Sequence, residues 1–435
     1  MKLMHAWFLV AALAAAASLR AAELAVLPAD PFFAPYQALK ADAPSRPVLR
    51  AGDRLAICGD SITEQKMYSR IMETYLTVCT PDLGVAVRQY GWSGERCDGF
   101  LRRMTNDVLR FKPTVATTCY GMNDHRYKPY EEAIGAEYRA LQTAIVQSMK
   151  AHGVRIVTGS SGAVNKMPHW VKTATGTVQD LNLSLLQLRN LALEVARAER
   201  QPFADVYLPM LTTGFEAQRK FGPGFMIAGQ DGVHPGWAGQ LVMAWAFLRV
   251  LAPGGDLGTI TIDPASGAAS ATGGHRVVSA RGGETVLESR RYPFCATGPL
   301  DQDSSLRAGM ALVPFNEELN RFRLVVWTPP APHCRVIWGD ATNTYGAAAL
   351  RKGVNLAADF AVNPFSEPFK RVDEAVLRKQ AFETDQIKKR FHGAEGKADM
   401  EGTVARTEAE REPLVKAIRE AFVPVTHTIR VEAAE

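Results

Sequence analysis

Residues 55–65 read LAICGDSITEQ. A short apolar run ends at Gly59, and a polar cluster of Asp60, Ser61 and Thr63 follows at once. The unbroken apolar run predicts a strand buried on both faces, as in a parallel sheet. Helix-like sequence follows, so Ser61 falls at the carboxyl edge of the sheet, where open α/β folds bind ligands. Three readings of the junction arise: a helix N-cap, a phosphate loop, or a nucleophile at the lip of the sheet. The phosphate loop is excluded because no Gly-x4-Gly-Lys-Ser/Thr is present. An N-cap and a nucleophile at a helix start occupy much the same place, so the stretch alone does not choose between them.

Outward from this point the pattern alternates. VAVRQYG (85–91), PTVATTCYG (113–121), VRIVTGS (154–160) and PFADVYL (202–208) read as further strands. Tyr68–Cys79, residues 99–111, 131–153, 181–200 and 235–251 read as helices, with Gly153 suited to a C-cap. Such alternation over 51–253 predicts a mainly parallel sheet with helices on both faces. The pattern changes at LAPGGDLG (251–258), and residues 254–365 carry short β-type runs separated by turns, as in a small β-sandwich. Residues 366–422 are rich in Glu, Lys, Arg and Ala. Phe369, Val372 and Val376, like Leu414, Ile418 and Phe422, recur at helical spacing. HGAEG (392–396) interrupts them, which predicts a helical hairpin. Residues 423–435 close with a strand expected to join the β-rich region, making the hairpin an insertion in it.

Residues 1–22 combine Lys2, an apolar core from Ala6 to Ala17 and small residues thereafter. This pattern predicts a secretory signal and a secreted or periplasmic protein with no stable membrane insertion. Residues 23–50 read as an extended lead-in. The 435 residues are 47% hydrophobic and 22% charged, an ordinary globular balance. The net charge of +5 is spread along the chain, which gives no basis for nucleic-acid binding. None of the six cysteines lies in a CxxC or metal-type pattern. Cys58 and Cys119 read as buried small hydrophobes. Cys79 with Cys97, or Cys295 with Cys334, are open to bridging in an oxidising compartment, with free thiols as the default.

Three further segments bear chemistry. In QDGVHPGWAG (230–239), Asp231 and His234 are three apart in a Gly- and Pro-bearing turn. That spacing lets the carboxylate reach one imidazole nitrogen and leaves the other free to take a hydroxyl proton. In CYGMNDH (119–125), Asn123 offers a side-chain N–H at the same sheet edge; in YGWSGERCDGF (90–100), Gly94 offers a backbone N–H. Each alone reads equally well as an ordinary turn. Together they provide a nucleophile, a base with its orienter, and oxyanion donors, the set that acyl transfer needs.

GDSIT (59–63), Gly94 in GWSGE, GMND (121–124) and DGVHP (231–235) resemble, in order and placement, the four sequence blocks of the SGNH (GDSL) hydrolases. The resemblance covers about residues 51–253. It implies a flavodoxin-like αβα sandwich, followed here by the small β-rich domain with its helical hairpin insertion. It also implies Ser61 as nucleophile, His234 as base, Asp231 as orienter, and the Ser61 N–H, Gly94 N–H and Asn123 amide as oxyanion hole, with no metal or cofactor. Family analogy with secretion favours deacetylation of a carbohydrate. A lipid or aryl esterase, a thioesterase, and a non-catalytic carbohydrate-binding or envelope protein are the alternatives. Trp92, His125, Tyr127 and Trp170 are the candidates to line the cleft; Trp237 is expected in the core.

Overall fold

The computed structural model describes residues 23–434 except 45 and 253, so the expected signal segment, residues 1–22, lies outside the described residues. Five parallel strands form the central sheet: β1 (Arg54–Gly59), β2 (Ala86–Gly91), β3 (Val115–Cys119), β4 (Arg155–Gly159) and β5 (Phe203–Ala204). Their order is β2-β1-β3-β4-β5, the flavodoxin-like arrangement. The helices are α1 (Ser61–Glu64), α2 (Tyr68–Val78), α3 (Cys97–Asp107), α4 (Glu132–Ala151), α5 (Val178–Ala198), α6 (Tyr207–Phe221) and α7 (Trp237–Leu251). Successive strand residues face opposite layers. Leu55, Ile57, Val115 and Val157 join the core on the α2 and α7 side. Ala56, Cys58, Ala116 and Ile156 join the core on the α3 and α4 side. This explains why LAIC in β1 reads as an unbroken apolar run.

PFADVYL supplies only a two-residue strand, because its last residues already begin α6. That helix has no counterpart in the sequence reading. Pro209 in its first turn and Thr212-Thr213-Gly214 in its middle mask its propensity, although Pro is tolerated in a first helical turn. All six cysteines are free and buried. Gly153 takes the left-handed conformation after α4, at φ +74°.

Beyond α7 come β6 (Asp256–Asp263), β7 (Ala268–Ala271), β8 (His275–Arg281), β9 (Glu284–Ser289), β10 (Arg321–Val326), β11 (His333–Trp338), β12 (Ala341–Gly346), β13 (Val354–Asn355) and β14 (Val425–Ala433). They form sheets of order β13-β10-β6-β7 and β12-β11-β14-β9-β8. The last strand, β14, lies between β9 and β11, so the chain returns to this region after the helical segment. Tyr75 of α2 packs on Phe294 and Phe315 and donates its hydroxyl to the Leu319 carbonyl at 2.8 Å, joining this region to the α/β unit.

A one-way chain of hydrogen bonds runs through the two β-sheets. Trp338 Nε1–H donates to His427 Nδ1 (3.0 Å), so His427 donates from Nε2 to Ser289 Oγ (2.8 Å). Ser289 then donates to His275 Nδ1 (2.7 Å), and His275 Nε2–H donates to the Leu257 carbonyl (2.9 Å). A donor-only indole and an acceptor-only carbonyl fix the direction. Burial lowers His275 to about 4 and, with repulsion from His275, His427 to about 3. Both are therefore neutral when folded, whereas unfolded histidine titrates near 6.5. Below about pH 6.5 the unfolded chain binds more protons, so this contribution is full above that pH and is lost as pH falls toward 4. At about 1.4 kcal/mol per pKa unit the loss is on the order of several kcal/mol. Imidazole NMR signals of both residues should show no titration between pH 8 and 5 while the thermal midpoint falls below pH 6. A titration near 6.5 at either ring would refute the assignment.

The segment 366–422 comprises a helix (Ser366–Asp385), a π-helical stretch (Gln386–Phe391), a short helix (Ala394–Ala398) and a long helix (Met400–Ala421). The first helix lies along α2 and β2. Since β2 is an edge strand, its outer polar groups need partners. The helix provides them: Lys379 Nζ donates to the Val87 carbonyl (2.6 Å), and the Gln89 N–H donates to Glu383 (3.1 Å).

Candidate active site

Because the strands are parallel, the loops after β1, β2 and β3 open on one edge of the sheet. The close crossing of α1 needs glycine twice. A Cβ on Gly91 would lie 2.2 Å from the Glu64 nitrogen, and one on Gly59 2.1 Å from Thr63 Oγ1. The two glycines are register partners on β1 and β2. The Gly91 clash is with backbone, so no rotamer change relieves it.

Asp60, not Ser61, caps α1: its carboxylate accepts the Ile62 N–H at 2.9 Å. Ser61 is the first helical residue, and its hydroxyl is free of capping duty. His234 Nε2 lies 2.8 Å from Ser61 Oγ, and His234 Nδ1 lies 2.7 Å from Asp231 Oδ2. The other Asp231 oxygen accepts the backbone N–H groups of Val233 and His234, both at 2.9 Å. One carboxylate thus shapes the turn and orients the ring. Burial pushes the Asp231 carboxyl up, but these backbone and imidazole hydrogen bonds outweigh it and hold it below the ordinary value. The Nδ1 proton therefore points at an anion, and Nε2 is left to accept from Ser61.

The turn is tight: Gly232 has φ +87°, and a Cβ there would lie 2.3 Å from the Lys166 carbonyl oxygen. It is also braced by the β-rich region. Asp303 accepts from the Met226 N–H (2.9 Å) and Gln230 Nε2 (2.8 Å). Its own carbonyl accepts the Ala238 N–H at the start of α7 (3.0 Å).

Asn123 stands on the neighbouring loop. One N–H of its amide donates to the Glu95 carbonyl (3.1 Å), and its oxygen accepts the Tyr127 hydroxyl (3.3 Å). These contacts fix which end is nitrogen and leave a second N–H unassigned. Asp124 ties this loop to the one bearing Gly94, accepting from the Cys97 and Gly121 N–H groups at 3.0 Å each. Gly94 is exposed with φ +73°, a conformation open to glycine at little cost. Arg103 grips the neighbouring Glu95 through two bonds of 2.6 Å, and the Tyr120 hydroxyl donates to the same carboxylate (2.8 Å). Burial, with the charges of Asp124 and Glu95 opposing the Ile62 N–H, raises Asp60 to about 7; burial raises Asp124 to about 6.

The cleft candidates divide. Tyr127 is half-buried and meets Trp170 edge-on at 5.8 Å, and Trp170 lies 5.7 Å from the His234 ring. Arg126 and Tyr127 both hold positive φ, a cost that tends to be met at functional sites. His125, expected at the cleft, is instead fully enclosed: its Nδ1–H donates to the Met122 carbonyl (2.5 Å), and burial lowers it to about 4. Its ring is swallowed because its backbone N–H closes a turn onto Gly121, which directs the side chain inward. Trp92 is also redirected. Its ring is flanked by Arg103 (5.1 Å), Lys388 (5.3 Å) and, edge-on, His392 (4.9 Å), so it packs against the helical segment. Trp237 is half-buried against the core, with Arg70 over its ring. Asp60, Glu95 and Asp124 were within quoted motifs, yet only the fold reveals what they hold.

A hydroxyl bonded to an imidazole that a carboxylate orients is the arrangement nucleophilic acyl transfer requires. The sequence model of the GDSL-like Lipase/Acylhydrolase family matches residues 57–242. No curated protein is matched. Among solved structures, BT4096, a gut microbial diltiazem-metabolizing enzyme, aligns with TM-score 0.72 and 21% identity, covering 90% of this chain and 100% of that one. Axe2, an acetylxylan esterase from Geobacillus stearothermophilus, aligns with TM-score 0.39 and 23% identity over 46% of this chain and 94% of its own. LAE5, an alpha/beta hydrolase enzyme from the metagenome of Lake Arreo, Spain, aligns with TM-score 0.38 and 20% identity over 46% and 96%. Residues 57–242, which carry all four loops of the site, thus match a GDSL-like lipase/acylhydrolase (SGNH-type) domain.

Proposed function

We propose that the protein is a serine ester hydrolase that removes acyl groups, foremost acetyl, from a carbohydrate. The observation that carries this reading is the continuous Asp231–His234–Ser61 hydrogen-bond line at 2.7 and 2.8 Å. His234 Nε2 takes the hydroxyl proton as Ser61 Oγ attacks the ester carbonyl carbon. The carbonyl oxygen takes up the charge among the Ser61 N–H, the Gly94 N–H and the second Asn123 N–H. The bond to the alcohol breaks as His234 returns the proton to the leaving oxygen. Water then attacks the acyl-enzyme with His234 again as base, releasing the acid and restoring Ser61.

The carbohydrate assignment draws on Trp170, whose ring borders His234, and on Tyr127, which meets Trp170 edge-on; such rings suit the apolar face of a pyranose. Acetate release from a panel of acetylated polysaccharides, with Ser61→Ala as control, tests it. Rates rising from acetate to octanoate esters would favour a lipid esterase instead. The signal-like residues 1–22 belong to the same proposal, placing the substrate outside the cytoplasm; N-terminal sequencing of the mature protein checks this.

Asn123→Ala is expected to lower kcat by roughly 10²–10³-fold, the usual effect of losing one oxyanion donor, with KM little changed. Steady-state kinetics on p-nitrophenyl acetate decide it. A loss confined to KM would make Asn123 a binding residue.

A further inference from the structure

The helical segment reaches the loop 92–95 from outside the α/β unit, and it does so on both sides of Gly94. On one side the link is Glu64, three residues after Ser61. Its Oε2 accepts the Ser93 N–H (2.5 Å) and the Ser93 hydroxyl (2.7 Å). Lys388 Nζ donates to both Glu64 oxygens, at 2.7 and 2.8 Å. Burial pushes the Glu64 carboxyl up, but Lys388 and Ser93 outweigh it and hold it below its usual value. On the other side His392 meets Trp92 edge-on and places Nε2 at 3.0 and 2.8 Å from the two carboxylate oxygens of Asp107. Asp107 is buried and faces Arg103 at 3.5 Å, and Arg103 grips Glu95.

Gly94 itself is exposed. A Cβ there would meet nothing within 4 Å. Its left-handed backbone is the least restrained kind, so the direction of its N–H depends on Ser93 and Glu95. Oxyanion donors contribute in proportion to how well they are aimed beforehand. The helix adopts its π-helical turns at Gln386–Phe391, where it meets this loop, and π turns are frequent at functional sites.

We infer that Lys388 and His392, on the helical segment, are positioning residues that hold loop 92–95 so that the Gly94 N–H stays aimed at the substrate carbonyl. The inference rests on the reading of Ser61, His234 and Asp231 as an ester-hydrolysing set. It makes the helical segment part of the catalytic unit, acting through Glu64 and Trp92 without touching substrate. An ordinary surface ion pair would contribute little to stability and nothing to turnover.

The test uses the full chain with p-nitrophenyl acetate, comparing wild type, Lys388→Met, Lys388→Arg, Ser61→Ala and a neighbouring control. The control, Lys389→Met, removes an exposed pair with Asp385 only. Lys388→Met is expected to lower kcat about tenfold with KM within about twofold, since small misplacements of catalytic groups carry losses of this order or more. Lys388→Arg keeps the charge and should return most of kcat; Lys389→Met should match wild type. Hydrogen-exchange mass spectrometry of the peptide spanning 91–97 reads the same clamp without turnover, and exchange should quicken in Lys388→Met alone. Unchanged exchange, faster exchange with unchanged kcat, or equal losses in the Arg and Met variants would each overturn the inference. If wild type and Ser61→Ala hydrolyse the ester equally, the ester-hydrolase reading falls, while the exchange data still decide whether the clamp exists.

Discussion

Ser61→Ala should hydrolyse p-nitrophenyl acetate on the order of 10⁴–10⁶ times more slowly than wild type, with KM little altered. The magnitude follows from the way such sets act as a unit: removing the nucleophile leaves only what the oxyanion donors and binding contribute. The fold should survive. Asp60 caps α1 with its own carboxylate, so the Ser61 hydroxyl does no capping work. Among the described residues its one side-chain bond is to His234, which keeps Asp231 and remains partly solvent-accessible. An unchanged melting temperature alongside lost turnover is therefore the expected pair of results. Residual activity above about a tenth of wild type would mean that another group carries the attack.

Lys379→Met is expected to lower stability by about 3–5 kcal/mol, the usual effect of breaking a buried ion pair from one side. Lys379 is 1% exposed and sits between Glu73 (3.0 Å) and Glu383 (2.8 Å), both also buried. Arg411 approaches Glu383 at 2.6 Å from the long helix Met400–Ala421. Burial pushes both glutamates up; Lys379, Arg411 and Arg88 bring Glu383 below its ordinary value, whereas Glu73 remains raised. Without Lys379, Glu73 keeps only the Gln380 amide among the bonds described, and the Val87 carbonyl loses its shortest partner. Differential scanning calorimetry should show a clearly lower midpoint, and limited proteolysis should cut first within 386–400. Adding Glu73→Gln should recover part of the loss, because its amide keeps a hydrogen bond while removing the stranded charge, and Glu383 still has Arg411. An unchanged midpoint in Lys379→Met would show that the helix is held by its apolar face alone.

These two variants mark what was legible in the sequence and what was not. A strand buried on both faces leaves the unbroken apolar run LAIC, and VATTC is dense in β-branched residues, so both were readable, and their ends located Ser61 and Asn123. The Asp231–His234 pair was readable because the whole contact lies inside one four-residue turn. The finer junction was less so. Asp60 and Ser61 are both good capping residues by type, and only the backbone reveals that Asp60 does the capping. His125 sits in a polar stretch that suggests exposure, yet the Gly121 turn directs its ring inward. Lys379–Glu383 has the i,i+4 spacing of a helical ion pair, but the contacts of Lys379 with Glu73 and of Lys388 with Glu64 carry no sequence signal, since Lys388 lies 324 residues from Glu64. In sequence both are ordinary lysines on an amphipathic helix. An αα-hairpin was expected by periodicity; its role as the cover of edge strand β2 depends on which strand the topology leaves at the margin.

The same distinction separates chemistry from substrate. The residues that would move protons and hold charge are local to four loops at one sheet edge. In the proposed reading, specificity would depend on surfaces such as Tyr127 and Trp170, whose side chains converge only through the fold.

The most direct test of the central claim is titration with diethyl p-nitrophenyl phosphate followed by peptide mass mapping. Ser61 Oγ should displace p-nitrophenolate from phosphorus, releasing about one equivalent per chain and leaving a diethylphosphoryl group on the peptide that contains Ser61. His234→Ala should not be labelled over the same interval. A protein that hydrolyses esters yet carries the label on another residue, or takes up none, would contradict the account.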